Sequence, residues 1–350
     1  MSEHLLTGSS LASNHNPTME VTREPPDLQD RQGRRISYLR LSVTDRCDFR
    51  CTYCMPQSMR FLPRNEVMTL EECLRIAKVF VDLGVRKLRI TGGEPLMRQN
   101  VMWLIRQLGV LPGLDELVLT SNGSQLHRFA PQLRAAGVRR INVSLDSLRA
   151  ERFGSITRTG DLDQVLRGIA ATRAAGFEHT KLNVVMMRGV NDDEFVDLLG
   201  FALEHELDIS FIEEMPLGAT GVARNTCSSE SVRLQLAERY ELLPSDETSG
   251  GPARYWRIPG SSTRVGFISP LSHNFCETCN RVRLTVKGEL YPCLGSNDVV
   301  HLLPAIRGAA PDEALRQMIL DGLRETNRGH DFGRQMVVPQ VLRFMSMSGG

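Results

Sequence analysis

Three features of the sequence predict an α/β fold in which a parallel sheet curls into a partial barrel of six βα units. From Ser37 onward, short β-branched or apolar runs alternate with helical patterns, the rhythm of a βα repeat. The helical segments are long enough to carry right-handed crossovers, which parallel strands need. Beyond residue 239 the rhythm gives way to Gly-, Pro- and Ser-rich hairpins, so the repeat stops at six. A doubly wound open sheet is the competing arrangement of the same units.

Taken in order, residues 1–34 are polar, Pro-containing and aperiodic, which predicts a disordered or loosely attached arm. Residues 35–227 hold the repeat, with strands in YLRLSVT, VRKLRIT, LDELVLT, VRRINVSL, TKLNVVMM and LDISFIEEM. Helices over 70–83, 162–175 and 193–205 are among those between them. Residues 228–350 begin with a helix near 229–239, continue through hairpins in ETSGGPARYWRIPGSSTRVGFISP, and add two short helices and a Gly-Gly end. This last region is expected to close the open side of the barrel.

Composition narrows the function. The chain has 350 residues, 41% of them apolar, enough for a core that folds alone. A formal net charge of +1 supplies no global field to recruit nucleic acid or an anionic membrane, and aromatic residues are only 6%. No run reaches the roughly 20 apolar residues that span a bilayer, so no membrane partner and a cytoplasmic location are expected. In a reducing cytosol, eight cysteines invite metal or redox chemistry before disulfides. Six fall in two tight groups, while Cys73 and Cys227 stand alone and read as buried, inert thiols.

The stretch CDFRCTYCMP places Cys47, Cys51 and Cys54 directly after the first strand, at the rim where a barrel carries its functional groups. Zinc would take four ligands, and no histidine lies between residues 16 and 126. A cubane iron-sulfur cluster normally takes four thiolates, so three leave one iron open to another ligand. The second group, Cys276, Cys279 and Cys293, spans a hairpin through VKGEL that returns the third thiol to the first two. There spacing leaves two readings open, a zinc site completed by His273 and a second three-thiolate cluster.

The strands alternate in a way that assigns their faces. Leu39, Leu41 and Val43 oppose Arg40, Ser42 and Thr44, and Leu88 and Ile90 oppose Lys87, Arg89 and Thr91. Leu182 and Val184 oppose Lys181 and Asn183, and Ile141 and Val143 oppose Asn142 and Ser144. Helices cover the outside of a barrel, so the apolar face belongs outside and Arg40, Lys87, Arg89 and Lys181 point inward. Burying several cations without counter-charge costs several kcal/mol per ion, so the interior should be a solvated cavity that receives a polyanion such as a polyphosphate.

The run VTDRCDFRCTYCMP resembles the signature of radical S-adenosylmethionine enzymes, and TGGEP (Thr91 to Pro95) resembles the turn that meets the cofactor's methionine end in that superfamily. The resemblance implies a 4Fe-4S cluster on Cys47, Cys51 and Cys54 whose open iron chelates S-adenosylmethionine. Reductive cleavage then yields a 5'-deoxyadenosyl radical, which requires an external electron donor. With CETCNRVRLTVKGELYPC and the terminal SGG, the chain from about Ile36 to Gly350 is similar to the GTP 3',8-cyclase family, which opens molybdenum cofactor (molybdopterin) biosynthesis. That implies a second 4Fe-4S cluster on Cys276, Cys279 and Cys293, with guanine on its open iron.

By matching positions, the family implies that Tyr53, Gly92, Gly93, Glu94, Ser144 and Met215 contact S-adenosylmethionine. Arg40, Lys87, Arg89, Thr120 and Lys181 would hold GTP, together with Arg281, Val282 and Arg283. Arg281 and Arg283 would also assist the rearrangement, and the tail residues Gly349 and Gly350 would insert toward the site. The implied product is (8S)-3',8-cyclo-7,8-dihydroguanosine 5'-triphosphate, consumed by cyclic pyranopterin monophosphate synthase. One departure stands out: Ser210 in SFIEEM occupies the position where the family commonly has arginine. Another radical enzyme with an auxiliary cluster, such as a peptide maturase, and a non-catalytic zinc protein are the rival readings. The sequence leaves the oligomeric state open, a homodimer included.

Overall fold

A computed structural model describes residues 28–215, 227–308 and 310–325, together with Met345 and Gly349. The expected arm through residue 27, the stretch 216–226 and Gly350 lie outside the described residues. Six parallel strands form the centre: β1 (Tyr38–Ser42), β2 (Lys87–Thr91), β3 (Glu116–Ser121), β4 (Val138–Ser144), β5 (Thr180–Met186) and β6 (Asp208–Glu213). They lie side by side in chain order. A doubly wound sheet reverses its order at a switch point, so this single winding excludes that alternative.

The crossovers are α1 (Leu70–Asp82), α2 (Val101–Gly109), α3 (Leu126–Ala135), α4 (Ala150–Thr157), α5 (Leu162–Ala174) and α6 (Phe195–Glu204), with α7 (Ser229–Ala237) after β6. Local chemistry starts several of them. Thr69 caps α1 by accepting a hydrogen bond from the Glu72 amide at 3.1 Å, and the Glu72 carboxylate returns one from the Thr69 amide at 2.7 Å. Leu70, Cys73, Ile76, Ala77 and Phe80 recur at helical spacing and are buried against the sheet. Asp161 caps α5 through the Gln164 amide.

The period-2 reading of the strands holds in space. Leu39, Leu41, Leu88, Ile90, Ile141, Val143, Leu182 and Val184 are all at most 1% exposed in the core beneath the helices. Of their alternating neighbours, Arg40, Lys87, Arg89, Asn142, Lys181 and Asn183 line one interior cavity, and Thr91 and Ser144 line another. Cys73 and Cys227 are buried free thiols, and burial pushes Cys73 up to about 12.

After α7 come β7 (Leu243–Ser245), β8 (Arg254–Arg257), β9 (Arg264–Ile268), β10 (Arg281–Leu284), β11 (Glu289–Tyr291) and β12 (Val300–His301), then α8 (Leu303–Arg307) and α9 (Asp312–Glu325). This region does not close the sheet. It extends both edges instead: β9 pairs in parallel with β6, and β10 pairs in parallel with β1. Residues 28–34, read from sequence as part of the arm, are also tied down. Leu28 is 1% exposed and accepts from the Ile36 amide, while the Arg31 amide donates to Leu323 of α9. Composition cannot reveal such anchoring, because the partners come from the far end of the chain.

Candidate functional site

Two cavities occupy the concave interior and share Asn183, Ile212, Met215 and Met345 as a common wall. The first, about 180 Å³, is lined by Cys47, Cys51, Tyr53 and Cys54 from the loop after β1. Gly92 and Gly93 line it from the turn after β2, and Thr120, Ser144, Asp146, Glu213, Glu214 and Met215 are among its other lining residues. Burial raises the Cys47 and Cys51 thiols, and the neighbouring thiols add to the rise.

The glycines let the turn after β2 meet the cysteine loop. The Gly93 amide donates to the Thr44 carbonyl at 2.8 Å, and the Glu94 amide to the Arg46 carbonyl at 2.8 Å. A Cβ on Gly92 would lie 2.5 Å from the Thr44 oxygen, and one on Gly93 2.4 Å from the Arg46 oxygen. Glu94 itself does not line the cavity. Its buried carboxyl accepts from the Leu96 amide at 3.0 Å, the Asn122 amide at 2.7 Å and the Ser121 hydroxyl at 3.1 Å. Burial pushes it up to about 8, and its hydrogen bonds tie the turn after β2 to the end of β3.

Tyr53 donates to Asp146 at 2.8 Å, and the other carboxylate oxygen of Asp146 accepts from the Val185 amide. Burial raises Asp146 to about 6. Asn122 donates to Asp48 at 2.7 Å and lies 3.7 Å from the Cys47 sulfur, which supports the thiol loop from β3.

The second cavity, about 190 Å³, is lined by Cys276, Cys279 and Cys293 and by seven cations: Arg34, Arg40, Lys87, Arg89, Lys181, Arg281 and Arg283. No carboxylate is among the described residues lining it. Burial and the neighbouring guanidinium groups hold Arg40 down to about 10 and Arg283 well below its ordinary value. Burial also brings Lys87 to about 8. Such a set carries its charge at a cost that a polyanion would relieve. Burial pushes the Cys279 thiol up, but Arg281 and Arg34 outweigh it and leave that thiol lowered.

Not every expected contact converges here. Val282 is 0% exposed in the outer core, because alternation along β10 turns it away from Arg281 and Arg283. Thr120 lines the first cavity and meets the second through Arg89, which donates to its hydroxyl at 2.9 Å. Lys87 pairs with Glu116 at 2.8 Å and donates to the Ser249 carbonyl at 2.7 Å. His273 is exposed and does not line the thiol cavity. Each set of three thiols lines a cavity, so a cubane held there would keep one iron open to a bound ligand.

Gly349 is buried beside β2. Its carbonyl accepts from Arg283 at 2.6 Å and Arg40 at 3.1 Å, and an added Cβ would lie 1.9 Å from the Thr91 hydroxyl. Sequence reasoning missed Tyr38 and Tyr255. Tyr38 shares the inward face of β1 with Arg40, a signal the alternation carried; Arg89 donates to its hydroxyl and Lys87 sits 5.0 Å from its ring centre. Tyr255 meets the second cavity through Lys181, which donates to its hydroxyl, and it is brought there by the pairing of β8, β9 and β6, which no local pattern announces.

Comparison with known proteins agrees with this geometry. The Radical SAM superfamily model matches residues 41–202, and the Molybdenum Cofactor Synthesis C model matches residues 207–332. The chain is 56% identical over 335 residues to a GTP 3',8-cyclase of Pseudomonas entomophila strain L48, covering 94% of this chain and all of that one. It is 54% identical over 327 residues to a GTP 3',8-cyclase of Ectopseudomonas mendocina strain ymp, with 92% and 98% covered. Among solved structures, Streptococcus suis SuiB bound to S-adenosylmethionine superposes with a TM-score of 0.58 at 15% identity, over 80% of this chain and 68% of that one. At that identity the likeness concerns the fold alone.

Proposed function

The chain belongs to the GTP 3',8-cyclase family of radical S-adenosylmethionine enzymes, and from that premise we propose how its two cavities divide the reaction. The enzyme cyclises GTP to (8S)-3',8-cyclo-7,8-dihydroguanosine 5'-triphosphate, the first step of molybdenum cofactor biosynthesis. The reaction joins ribose C3' to guanine C8. One observation carries the division of labour: a cavity walled by seven cations and three thiols adjoins another walled by three thiols and a glycine turn.

Cys47, Cys51 and Cys54 would hold one 4Fe-4S cluster, with S-adenosylmethionine beside Tyr53, Gly92, Gly93, Ser144 and Met215. When bound and reduced, that cofactor supplies the carbon radical that takes a hydrogen atom from the substrate. Cys276, Cys279 and Cys293 would hold the second cluster at the guanine end. Arg40, Arg89, Lys181, Arg281 and Arg283 bind and orient the nucleotide between them, and their charge matches its phosphates. Arg281 lies 3.8 Å from the Cys279 sulfur, so it links the second thiol group to the substrate pocket. The apolar shared wall of Ile212, Met215 and Met345 helps keep water from the reacting carbon. An external one-electron donor, a downstream cyclic pyranopterin monophosphate synthase and a cytoplasmic location complete the proposal.

The test is anaerobic turnover of the reconstituted protein with S-adenosylmethionine, a reductant and either GTP or peptide substrates. GTP should stimulate cofactor cleavage and yield the cyclised triphosphate. Stimulation by peptide and not by GTP would defeat the assignment.

A further inference from the structure

A row of four residues crosses the sheet below the second cavity. In register, Tyr255 of β8 stands beside Gly266 of β9, Gly266 beside Ser210 of β6, and Ser210 beside Asn183 of β5. Gly266 has no room for a side chain: a Cβ there would lie 2.7 Å from the Ser210 hydroxyl and 3.0 Å from Cε1 of Tyr255. The missing side chain lets the Tyr255 ring lie across β9 toward the barrel interior. The buried Ser210 hydroxyl finds no hydrogen-bond partner among the described residues, so it does not compete for what Tyr255 reaches.

What Tyr255 reaches is Lys181. The lysine ammonium donates to the Tyr255 hydroxyl, which donates in turn to the Ser249 hydroxyl at 2.8 Å. The Ser249 carbonyl accepts from Lys87 at 2.7 Å. The turn at Ser249 thus holds Lys87 directly and Lys181 through Tyr255, and both ammonium groups line the second cavity. Lys181 is 7% exposed and no carboxylate lines its cavity. A neutral hydroxyl leaves the positive charge uncancelled and two of the three ammonium protons available.

We propose that Tyr255 is a positioning residue for substrate binding, which holds Lys181 at the cavity floor so that its remaining protons grip the phosphate chain of GTP. Gly266 and Ser210 serve as the clearance that lets the phenol arrive. This inference rests on the GTP reading above and adds the residue that aims one of its cations.

The experiment measures equilibrium binding of GTP and of guanosine to the anaerobically reconstituted protein with both clusters, without reductant, so that nothing turns over. Tyr255→Phe should weaken GTP binding about tenfold, the size expected when a hydrogen bond to a charged group is lost, and leave guanosine binding unchanged. The double variant Tyr255→Phe with Lys181→Met should bind GTP no more weakly than Lys181→Met alone, because the phenol acts through the lysine. Unchanged GTP affinity in Tyr255→Phe, equal losses for GTP and guanosine, or losses that multiply in the double variant would each overturn the inference. Wild-type protein that binds no GTP overturns the cyclase reading itself, and so is told apart from failure of the inference alone.

Discussion

At Tyr38 a phenol stands among cations. Burial opposes its ionisation, yet Arg89, Arg40 and Lys87 outweigh burial and bring it down to about 7. The sign for binding follows directly. Above that value the substrate-free cavity already holds a phenolate, which a polyphosphate must share the cations with, so GTP favours the protonated phenol. GTP affinity should therefore fall as pH rises through about 7 and beyond, with proton uptake on binding. Loss of charge from Lys87 near 8 deepens the fall in the same direction. Titration calorimetry in buffers of differing ionisation enthalpy checks both, and Tyr38→Phe should remove the part centred near 7. An unchanged profile in that variant would disprove this role.

Single residues also show how far motifs can be trusted. Gly92 and Gly93 line the first cavity, and the structure gives them a steric reason: the carbonyls of Thr44 and Arg46 occupy the space of any Cβ. Glu94 belongs to the same motif and turns into its own hydrogen-bonded pocket. Val282 sits between two cavity arginines and, by the period-2 rule that put them inside, must face out.

Elements were the most legible level. Helix α1 carries both halves of a capping box and a buried stripe at helical spacing, all readable from TLEECLRIAKVF. Thr69→Ala should lower stability by about 1 kcal/mol and leave GTP turnover unchanged, measured by denaturant midpoint beside product formation. Lost turnover without lost stability would mean that α1 is tied to the site. The six parallel strands are equally clear, since four of them alternate and helical patterns fall between them. Strands β7 to β12 were not, because hairpins signal antiparallel pairing while the decisive pairs, β9 with β6 and β10 with β1, are parallel and distant in the chain.

For the molecule as a whole, the fold brings two thiol groups more than 200 residues apart to adjoining cavities. Removing one should leave the other. Cys276→Ser should drop iron from about eight to about four atoms per chain, the loss of one cubane, and abolish the cyclised product. Binding of S-adenosylmethionine at the first group should persist. Iron and sulfide analysis with cofactor-binding measurements decides it; unchanged iron would remove Cys276 from the ligand set.

The sequence alone determined the βα repeat, the inward row of cations and the two thiol groups, because hydrophobic periodicity and ligand spacing act over a few residues and are written in order. Tertiary structure alone decided that the C-terminal region extends both sheet edges, that residues 28–34 are anchored, and that Tyr38 and Tyr255 join the cations of the cavity. Those outcomes depend on which distant backbones pair and in what register. That choice is made by the packing of the whole chain, and no local window of residues contains it.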